Sequence, residues 1–391
     1  MLHEKSQQAF GVVGAAILFA RFSLSLAVPA IAAPIERVWV SPVSPGPSKL
    51  VVAWETSSPA VGLVEFGADA SLGRRVVASN TATRHHVEIP FDGHDGHLHY
   101  RVRSGPHATE IYTCKTWPSR ELRIAIVGNW GFAMDRDLSS LCRDDPHLLV
   151  SAGDNVPDLH GPGREGERAF ANLIDAYPDL FRSVPFLPVL GNHDRQITPR
   201  GSAPPPHPVY DVEATAYREF FALPGNEWTW RFDMPAFDLE LIALDLNHIK
   251  DYGTTWQTCH AWQPGSSQLQ WYANQMDRTQ AGFVFTIMNE RQSTLQHSAN
   301  ASWHEQFRKG NGLITGFGHF AERASLEGDL IYFNTSLKGT GDLYKDPRSE
   351  FHARQDNYLL ITAHAGSAVL TVAIKNLQGE ILDQSEIAHR Q

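Results

Sequence analysis

The chain has 391 residues, of which 42% are hydrophobic and 19% are charged, and its formal net charge at pH 7 is −10. This length and composition predict a sizeable core and two domains, and they exclude a chain that is disordered throughout. The negative charge argues against general binding to nucleic acid or to an anionic membrane surface, because both attract basic protein faces.

The N-terminus combines a long apolar stretch with small residues. Residues 10–33 are mostly apolar, and Ala30-Ile31-Ala32 fits the small-residue rule for signal-peptidase cleavage. We interpret residues 1–33 as a signal peptide and expect a secreted or periplasmic protein. Arg21 interrupts the stretch, and in a retained anchor it would cost about 2.5–3.5 kcal/mol. We therefore expect no stable membrane insertion after cleavage.

Residues 35–117 alternate short apolar runs with turn residues. Partial period-2 alternation of this kind predicts a small antiparallel β-sandwich. A linker is expected at residues 116–120. The runs predicted to be strands are residues 49–54, 62–66, 86–89, 97–103 and 110–114.

From residue 121 to residue 376, apolar strands alternate with helical patterns, which predicts a layered α/β domain. Helices are expected over residues 165–177 and 268–276, with Ser266 or Ser267 as the N-cap of the second. Ser302 and Glu305 form a capping box for a third helix. The segments predicted to be strands are residues 122–127, 283–288, 313–315, 330–333, 358–363 and 368–374, and residues 377–391 are expected to be a tail.

Two apolar runs of this domain end in polar motifs. Gly153-Asp154 follows the run that begins at Leu148, and Gly191-Asn192-His193-Asp194 follows the run that begins at Val184. Strands that end in carboxylate, amide and imidazole groups indicate a metal or phosphate site at the edge of a sheet.

Together the two motifs resemble those of the calcineurin-like metallophosphoesterases. Their order with three further motifs resembles the purple acid phosphatases, and the resemblance covers residues 36–376. It implies a four-layer α/β fold, a β-sandwich with flanking helices, preceded by a small all-β domain of fibronectin-like or immunoglobulin-like type. It also implies hydrolysis of phosphoric esters at a pair of metal ions.

The resemblance makes Asp154, Asn192 and His319 metal ligands, and it makes His193 a catalytic histidine that binds no metal. Other family positions have changed. Asn129 stands where the family has an aspartate, and Asn289 and Phe317 stand where it has histidines.

These substitutions weaken the expected metal site. Neutral amides hold divalent cations poorly, so we expect one divalent metal ion or none. Pro157 stands at the family's tyrosine position, so no phenolate is available there to bind ferric iron.

Three functions remain open. The first is a weak or mononuclear phosphoric ester hydrolase with catalytic residues His193, His319 and Asp154. The second is a metal-independent lyase or hydrolase acting on a carboxylate-bearing or sugar substrate, in which His193 and His319 move protons. The third is a non-catalytic protein that binds an anion. The ligand is expected to be an anionic small molecule or glycan, and the residues expected to contact it are Asn129, Asn192, Asn289 and Arg195.

Overall fold

A computed structural model of the protein describes residues 34–91, 93–161, 163–198, 205–298, 301–341 and 344–390. The predicted signal peptide lies outside these residues. Among the helices of the described part, none is long and apolar enough to cross a membrane.

The N-terminal region forms an antiparallel sheet that is longer and more continuous than the predicted strands. Two of the predicted runs merge into one strand of 19 residues, whose pairing register shifts between Glu55 and Ala60. Its first part pairs with the preceding strand and its last part pairs with the fourth. The strands of this sheet are β1 (Ile35–Pro42), β2 (Lys49–Gly67), β3 (Arg74–Pro90), β4 (His97–Ser104), β5 (His107–Ala108) and β6 (Tyr112–Lys115).

The remaining strands form two mixed sheets within the described residues. They are β7 (Glu121–Val127), β8 (Leu148–Ser151), β9 (Phe186–Leu187), β10 (Trp230–Met234), β11 (Leu239–Ala243), β12 (Phe283–Met288), β13 (Gly312–Thr315), β14 (Ala321–Ser325), β15 (Ile331–Asn334), β16 (Ser349–Ala353), β17 (Asn357–His364), β18 (Val369–Asn376) and β19 (Ile381–Ala388). One sheet has the order β10-β11-β12-β13-β15-β14-β16, and the other has the order β19-β18-β17-β7-β8-β9.

Each mixed sheet has a parallel part. Strands β7, β8 and β9 are parallel in one sheet, and β11, β12, β13 and β15 are parallel in the other. The parallel strands are buried on both faces, as continuous apolar runs such as residues 283–288 predict. The C-terminal strand β19 pairs with β18, so the domain continues beyond residue 376 into the segment expected to be a tail.

The helices agree with the periodicity of the sequence where that periodicity was strong. The Ser266 hydroxyl accepts a hydrogen bond from the Leu269 amide at 3.3 Å, which confirms the predicted N-cap. The third predicted helix begins at Ala301, so Ser302 lies inside its first turn and not at its N-cap. The helices are α1 (Ser139–Arg143), α2 (Gly163–Ala176), α3 (Pro178–Ser183), α4 (Thr215–Phe220), α5 (Ser267–Arg278), α6 (Gln292–Ser298) and α7 (Ala301–Phe307). Short 3-10 turns lie at Trp130–Phe132, Asn192–Asp194, Pro235–Phe237, Ile249–Asp251 and Glu327–Asp329.

Alternate residues of the central strands belong to two hydrophobic clusters. Leu241 on β11 belongs to the cluster that includes side chains of both mixed sheets, whereas Ile242 belongs to the cluster that includes side chains of α5 and α7. Phe170 of α2 and Phe181 of α3 belong to the first cluster, beside β7–β9. The arrangement has the four layers that were expected, two mixed sheets with helices on their outer faces, and an all-β region precedes it.

The N-terminal sheet packs directly on the α/β part. Trp117, in the predicted linker, is 4% exposed and packs against Phe91 and Phe232. Buried charges also join the two parts, because the Arg84 guanidinium binds Glu55 of β2 and Glu167 of α2. The described residues between 34 and 390 belong to one compact unit.

Candidate functional site

The predicted site residues lie where parallel strands end. Asn129 follows β7, Asp154 follows β8, Asn289 follows β12 and His319 follows β13. Two hydrogen bonds bring strand ends of the two mixed sheets together. The Asn129 side-chain amide donates to the carbonyl of Gly316, and the Asn289 side-chain amide donates to the carbonyl of Ala152 at 2.9 Å. The motifs read from the sequence therefore converge at one edge of the paired sheets.

The backbone at this edge is held in an uncommon conformation. Asn129, Asp154 and His319 have φ angles of 52°, 55° and 57°, in the left-handed region. Side chains other than glycine rarely adopt this region, and each instance costs on the order of 1–3 kcal/mol. Contacts with the neighbouring loops therefore hold these three residues in this conformation.

Asp154 is buried against the GNHD turn. Its carboxylate oxygen Oδ1 accepts a hydrogen bond from the backbone amide of His193 at 3.3 Å. A Cβ atom at Gly191 would lie 2.2 Å from the same oxygen, so the close approach of this turn requires glycine. Asp154 and Asn192 therefore lie on neighbouring loops, with Asp154 6% exposed and Asn192 7% exposed.

The fourth residue of the GNHD motif holds these two loops together. Asp194 accepts hydrogen bonds from the backbone amides of Gly191 and Asn155, both at 2.8 Å, and from the side-chain amide of Asn155 at 2.9 Å. Burial and the nearby charge of Asp154 raise the pKa of Asp194 to about 7, against the effect of these hydrogen bonds. Asp194 is thus a structural carboxyl behind the site.

His193 has a fixed ring orientation and an exposed edge. Its Nδ1 atom lies 2.5 Å from the carbonyl oxygen of Pro157 and 3.5 Å from Oδ1 of Asp158. Because a carbonyl can only accept, Nδ1 carries the hydrogen and Nε2 is the acceptor of the neutral ring. The side chain is 29% exposed, so Nε2 is suited to exchange a proton with a bound ligand.

Phe132 lies between the two histidines of the site, a position that no sequence motif predicted. The Phe132 ring meets the rings of His193 and His319 edge to face, with centroid distances of 4.8 Å and 5.3 Å. Phe317, at the position where the family has a histidine, contacts His248 with a centroid distance of 5.8 Å. The Phe132 ring therefore occupies the space between His193 and His319.

The two predicted asparagines at positions 129 and 289 use their amide hydrogens on backbone carbonyls. Asn129 Nδ2 also donates to the Ser336 hydroxyl at 3.1 Å, in addition to the Gly316 carbonyl. The Oδ1 atom of Asn289 is buried and has no hydrogen-bond partner among the described residues. These amides hold the loops in place, and substrate binding by Asn129 and Asn289 stays a prediction.

Arg195 is also placed differently from the sequence prediction. Its side chain is fully buried, and its guanidinium binds Asp245 at 2.6 Å and the carbonyl of Gly191 at 3.2 Å. Asp245 in turn binds the ring of His260 at 2.7 Å. Arg195 supports the GNHD turn from behind, so its charge is committed to Asp245 and not to a ligand.

The donor set offers little to metal ions. Among the described residues, no group of three or more histidine, cysteine, aspartate and glutamate side chains is arranged to hold a metal ion. Asp154 and His319 keep ligand chemistry, but Asn129 and Asn289 bring neutral amides whose hydrogens are bound to carbonyls. A pair of divalent ions would need more negative charge than these side chains supply.

A buried carboxyl lies just beyond the site. Glu322 on β14 is 0% exposed, and burial raises its pKa to about 7, whereas an unfolded glutamate titrates near 4.3. Between these values the folded state holds a proton that the unfolded state releases, so the free energy of unfolding falls as pH rises through this range.

We expect Glu322→Gln to remove this pH dependence. The variant should match wild type at pH 4, where the wild-type carboxyl is protonated in both states, and should be more stable by about 1–3 kcal/mol at pH 8. Urea unfolding at pH 4, 6 and 8 measures the difference. A gap between the proteins that is independent of pH would contradict the assignment, and Glu386→Gln, at an exposed position of β19, is the control.

The fold and the polar residues at its strand ends define a metallophosphoesterase-type protein. The family model of the calcineurin-like phosphoesterases matches residues 122–319, about half of the chain. The chain belongs to this family.

Two solved structures illustrate the likeness. Purple acid phosphatase PPD1 from yellow lupin (Lupinus luteus) seeds superposes with a TM-score of 0.70 at 12% identity, over 91% of this chain and 74% of that one. PhoD superposes with a TM-score of 0.63 at 12% identity, over 90% of both chains. No curated protein sequence matches the chain. At this identity the two superpositions establish the fold alone.

Proposed function

We propose that the protein is a phosphoesterase-fold protein that acts on small anionic phosphate esters without a paired metal centre, with His193 as its proton-transfer residue. The observation that carries this proposal is the orientation of the His193 ring. The Pro157 carbonyl holds the hydrogen on Nδ1, and Asp158 lies beside it, so that Nε2 faces away from both.

The chemistry follows from the histidine. In hydrolysis, water forms the new bond to phosphorus while the bond from phosphorus to the leaving oxygen breaks. Protonated His193 gives its Nε2 proton to that leaving oxygen, and a proton from the attacking water restores the imidazolium afterwards. A well-placed general acid of this kind contributes about 100- to 10,000-fold to a rate.

The loss of the paired metal centre is part of the same proposal. Asn129, Asn289 and Phe317 stand at three ligand positions of the purple acid phosphatase pattern, and the Phe132 ring lies between His193 and His319. These replacements remove negative charge and imidazole donors together. Asp154 and His319 then act as site residues that position water or the ligand.

Metal analysis tests the proposal. We expect the purified full-length protein to hold fewer than two tightly bound transition-metal ions per chain, because its donor set is too neutral for a pair. Turnover of an aryl phosphate should survive treatment with a chelator, and added Zn²⁺ or Mn²⁺ should change the rate by less than about twofold. Two firmly bound ions, with activity lost on chelation, would overturn the proposal.

A second candidate is a non-catalytic anion-binding protein. It is favoured by the hydrogen bonds of Asn129 and Asn289, whose amides hold loops and have no role in chemistry. Phosphate binding without turnover of aryl and alkyl phosphates would select this candidate. Export through the apolar N-terminal segment stays a prediction, because residues 1–33 lie outside the described part.

A further inference from the structure

Two basic side chains lie beside the site on loops that follow parallel strands. Arg291 comes two residues after Asn289, beyond the end of β12, and Lys338 follows Ser336, beyond the end of β15. The carboxyl ends of parallel strands lie at one edge of a sheet, which here is the edge that carries the candidate site.

Arg291 is held between aromatic rings. Its guanidinium carbon lies 4.2 Å from the ring centroid of Tyr344 and 5.3 Å from that of Phe317. Its Nε atom is buried and has no hydrogen-bond partner among the described residues. The carboxylate of neighbouring Glu290 accepts hydrogen bonds from the backbone amides of Ile249 and Arg291, so it is already engaged.

Lys338 lies over the ring that separates the two histidines. Its Nζ atom is 5.4 Å from the ring centroid of Phe132, which contacts both His193 and His319. The loop that carries Lys338 is fixed, because the Ser336 hydroxyl donates to the Lys338 carbonyl at 2.9 Å and accepts from Asn129.

Neither cation forms an ion pair with a carboxylate in the part of the chain that the structure describes. Arg195 and Arg323, by contrast, are paired with aspartates at 2.6 Å. The charge of Arg291 also favours the ionised form of neighbouring Glu290, but no salt-bridge contact joins the two side chains. An anion that binds next to a partly buried cation of this kind recovers part of its desolvation cost. In a chain with a net charge of −10, two such side chains at one edge create the local positive potential that an anion needs.

We propose that Arg291 and Lys338 form a cationic subsite for the oxyanion of the substrate. The subsite supplies the positive charge that a pair of metal ions supplies elsewhere in the family. The ligand class is a phosphate monoester dianion, with inorganic phosphate as its simplest member. The inference rests on the proposed function for the identity of the substrate, but the binding of phosphate can be measured without any turnover.

Calorimetric titration of the chelator-treated, full-length protein with inorganic phosphate at low ionic strength tests the subsite. We expect Arg291→Gln and Lys338→Gln each to raise the Kd for phosphate by about 10- to 100-fold, as the loss of a charge-assisted hydrogen bond does. Arg291→Lys keeps the charge and should lose less. Arg75→Gln, at an exposed position of the N-terminal sheet, is the control and should bind as wild type does.

The outcomes separate this inference from the proposed function. If wild type does not bind phosphate, or if both glutamine variants bind it as tightly as wild type while remaining folded in a thermal unfolding assay, the subsite is wrong. An aryl phosphate turnover assay on wild type, run alongside, tests the proposed function independently. Weakened binding in the variants, with no turnover by wild type, would leave the subsite in place and remove the catalytic part of the proposal.

Discussion

Replacing His193 with asparagine should lower the turnover of an aryl phosphate by about 100- to 10,000-fold, the usual contribution of a general acid. The asparagine amide can still donate to the Pro157 carbonyl, which binds Nδ1 of the histidine in wild type. It cannot transfer a proton near neutral pH. The loss should therefore fall on kcat, with little change in the Kd for inorganic phosphate.

The comparison needs a histidine change away from the site. His364, at the end of β17, has a side chain that is 60% exposed, and His364→Asn should leave the rate within about twofold of wild type. Thermal unfolding of both variants checks that they are folded. Unchanged turnover in His193→Asn would remove His193 from the mechanism.

The second large effect is expected in the free energy of unfolding, at the buried ion pair between Arg195 and Asp245. Arg195 and Asp245 form an ion pair of 2.6 Å in which both side chains are fully buried. Burial opposes ionisation of Asp245, but the charge of Arg195 and the hydrogen bond from His260 hold the pKa of Asp245 below its usual value. Asp245→Asn would leave the arginine charge buried without a counter-ion, so we expect a loss of about 3–5 kcal/mol in the free energy of unfolding.

Urea unfolding at pH 7 measures this loss, and two further variants show whether its cause is the buried charge. Arg195→Met combined with Asp245→Leu removes both charges and should recover much of the stability, because the uncompensated charge is gone. Lys49→Gln breaks a pair with Glu88 in which both side chains are more than half exposed, and should cost about 1 kcal/mol or less. A loss below about 1 kcal/mol in Asp245→Asn would show that the pair contributes little.

The sequence predicted the fold well because its apolar runs and helical periods are strong. The run over residues 283–288 is β12 over the same residues, and the helix expected over residues 268–276 is α5 with one extra residue before it and two after it. The N-terminal strands were predicted too short, because residues 57–61 carry turn-forming serines and a proline although they continue β2. The flanking parts of β2 pair with β1, β3 and β4, and this pairing carries the strand through the irregular stretch against its local preference.

The site was predicted in part, and the errors have one physical origin. The order of strand-end motifs placed Asn129, Asp154, Asn192, Asn289 and His319 at one edge, because the carboxyl ends of parallel strands meet there. The sequence could not give the direction of each side chain. Arg195 was expected to face the ligand because it follows the GNHD motif, yet its guanidinium points to Asp245.

The same limit explains the residues that were missed. Phe132 lies between two histidines that are distant from it in sequence, and Arg291 and Lys338 approach the site from loops after β12 and β15. The proposed role of Arg291 and Lys338 depends on the aromatic ring that each cation contacts. Hydrophobic periodicity carries no information about such contacts between separate strands.

The hydrogen bond from Asn129 to the Gly316 carbonyl has a consequence for redesign. A carboxylate at position 129 would have no hydrogen to give, and two electron-rich oxygens would face each other across the gap between the loops after β7 and β13. The same holds at position 289, where any replacement without a suitably placed donor would leave the Ala152 carbonyl without its hydrogen bond. Introducing an acidic or imidazole side chain at either position alone would therefore first weaken the scaffold, so a redesign has to change each amide together with the loop that it holds.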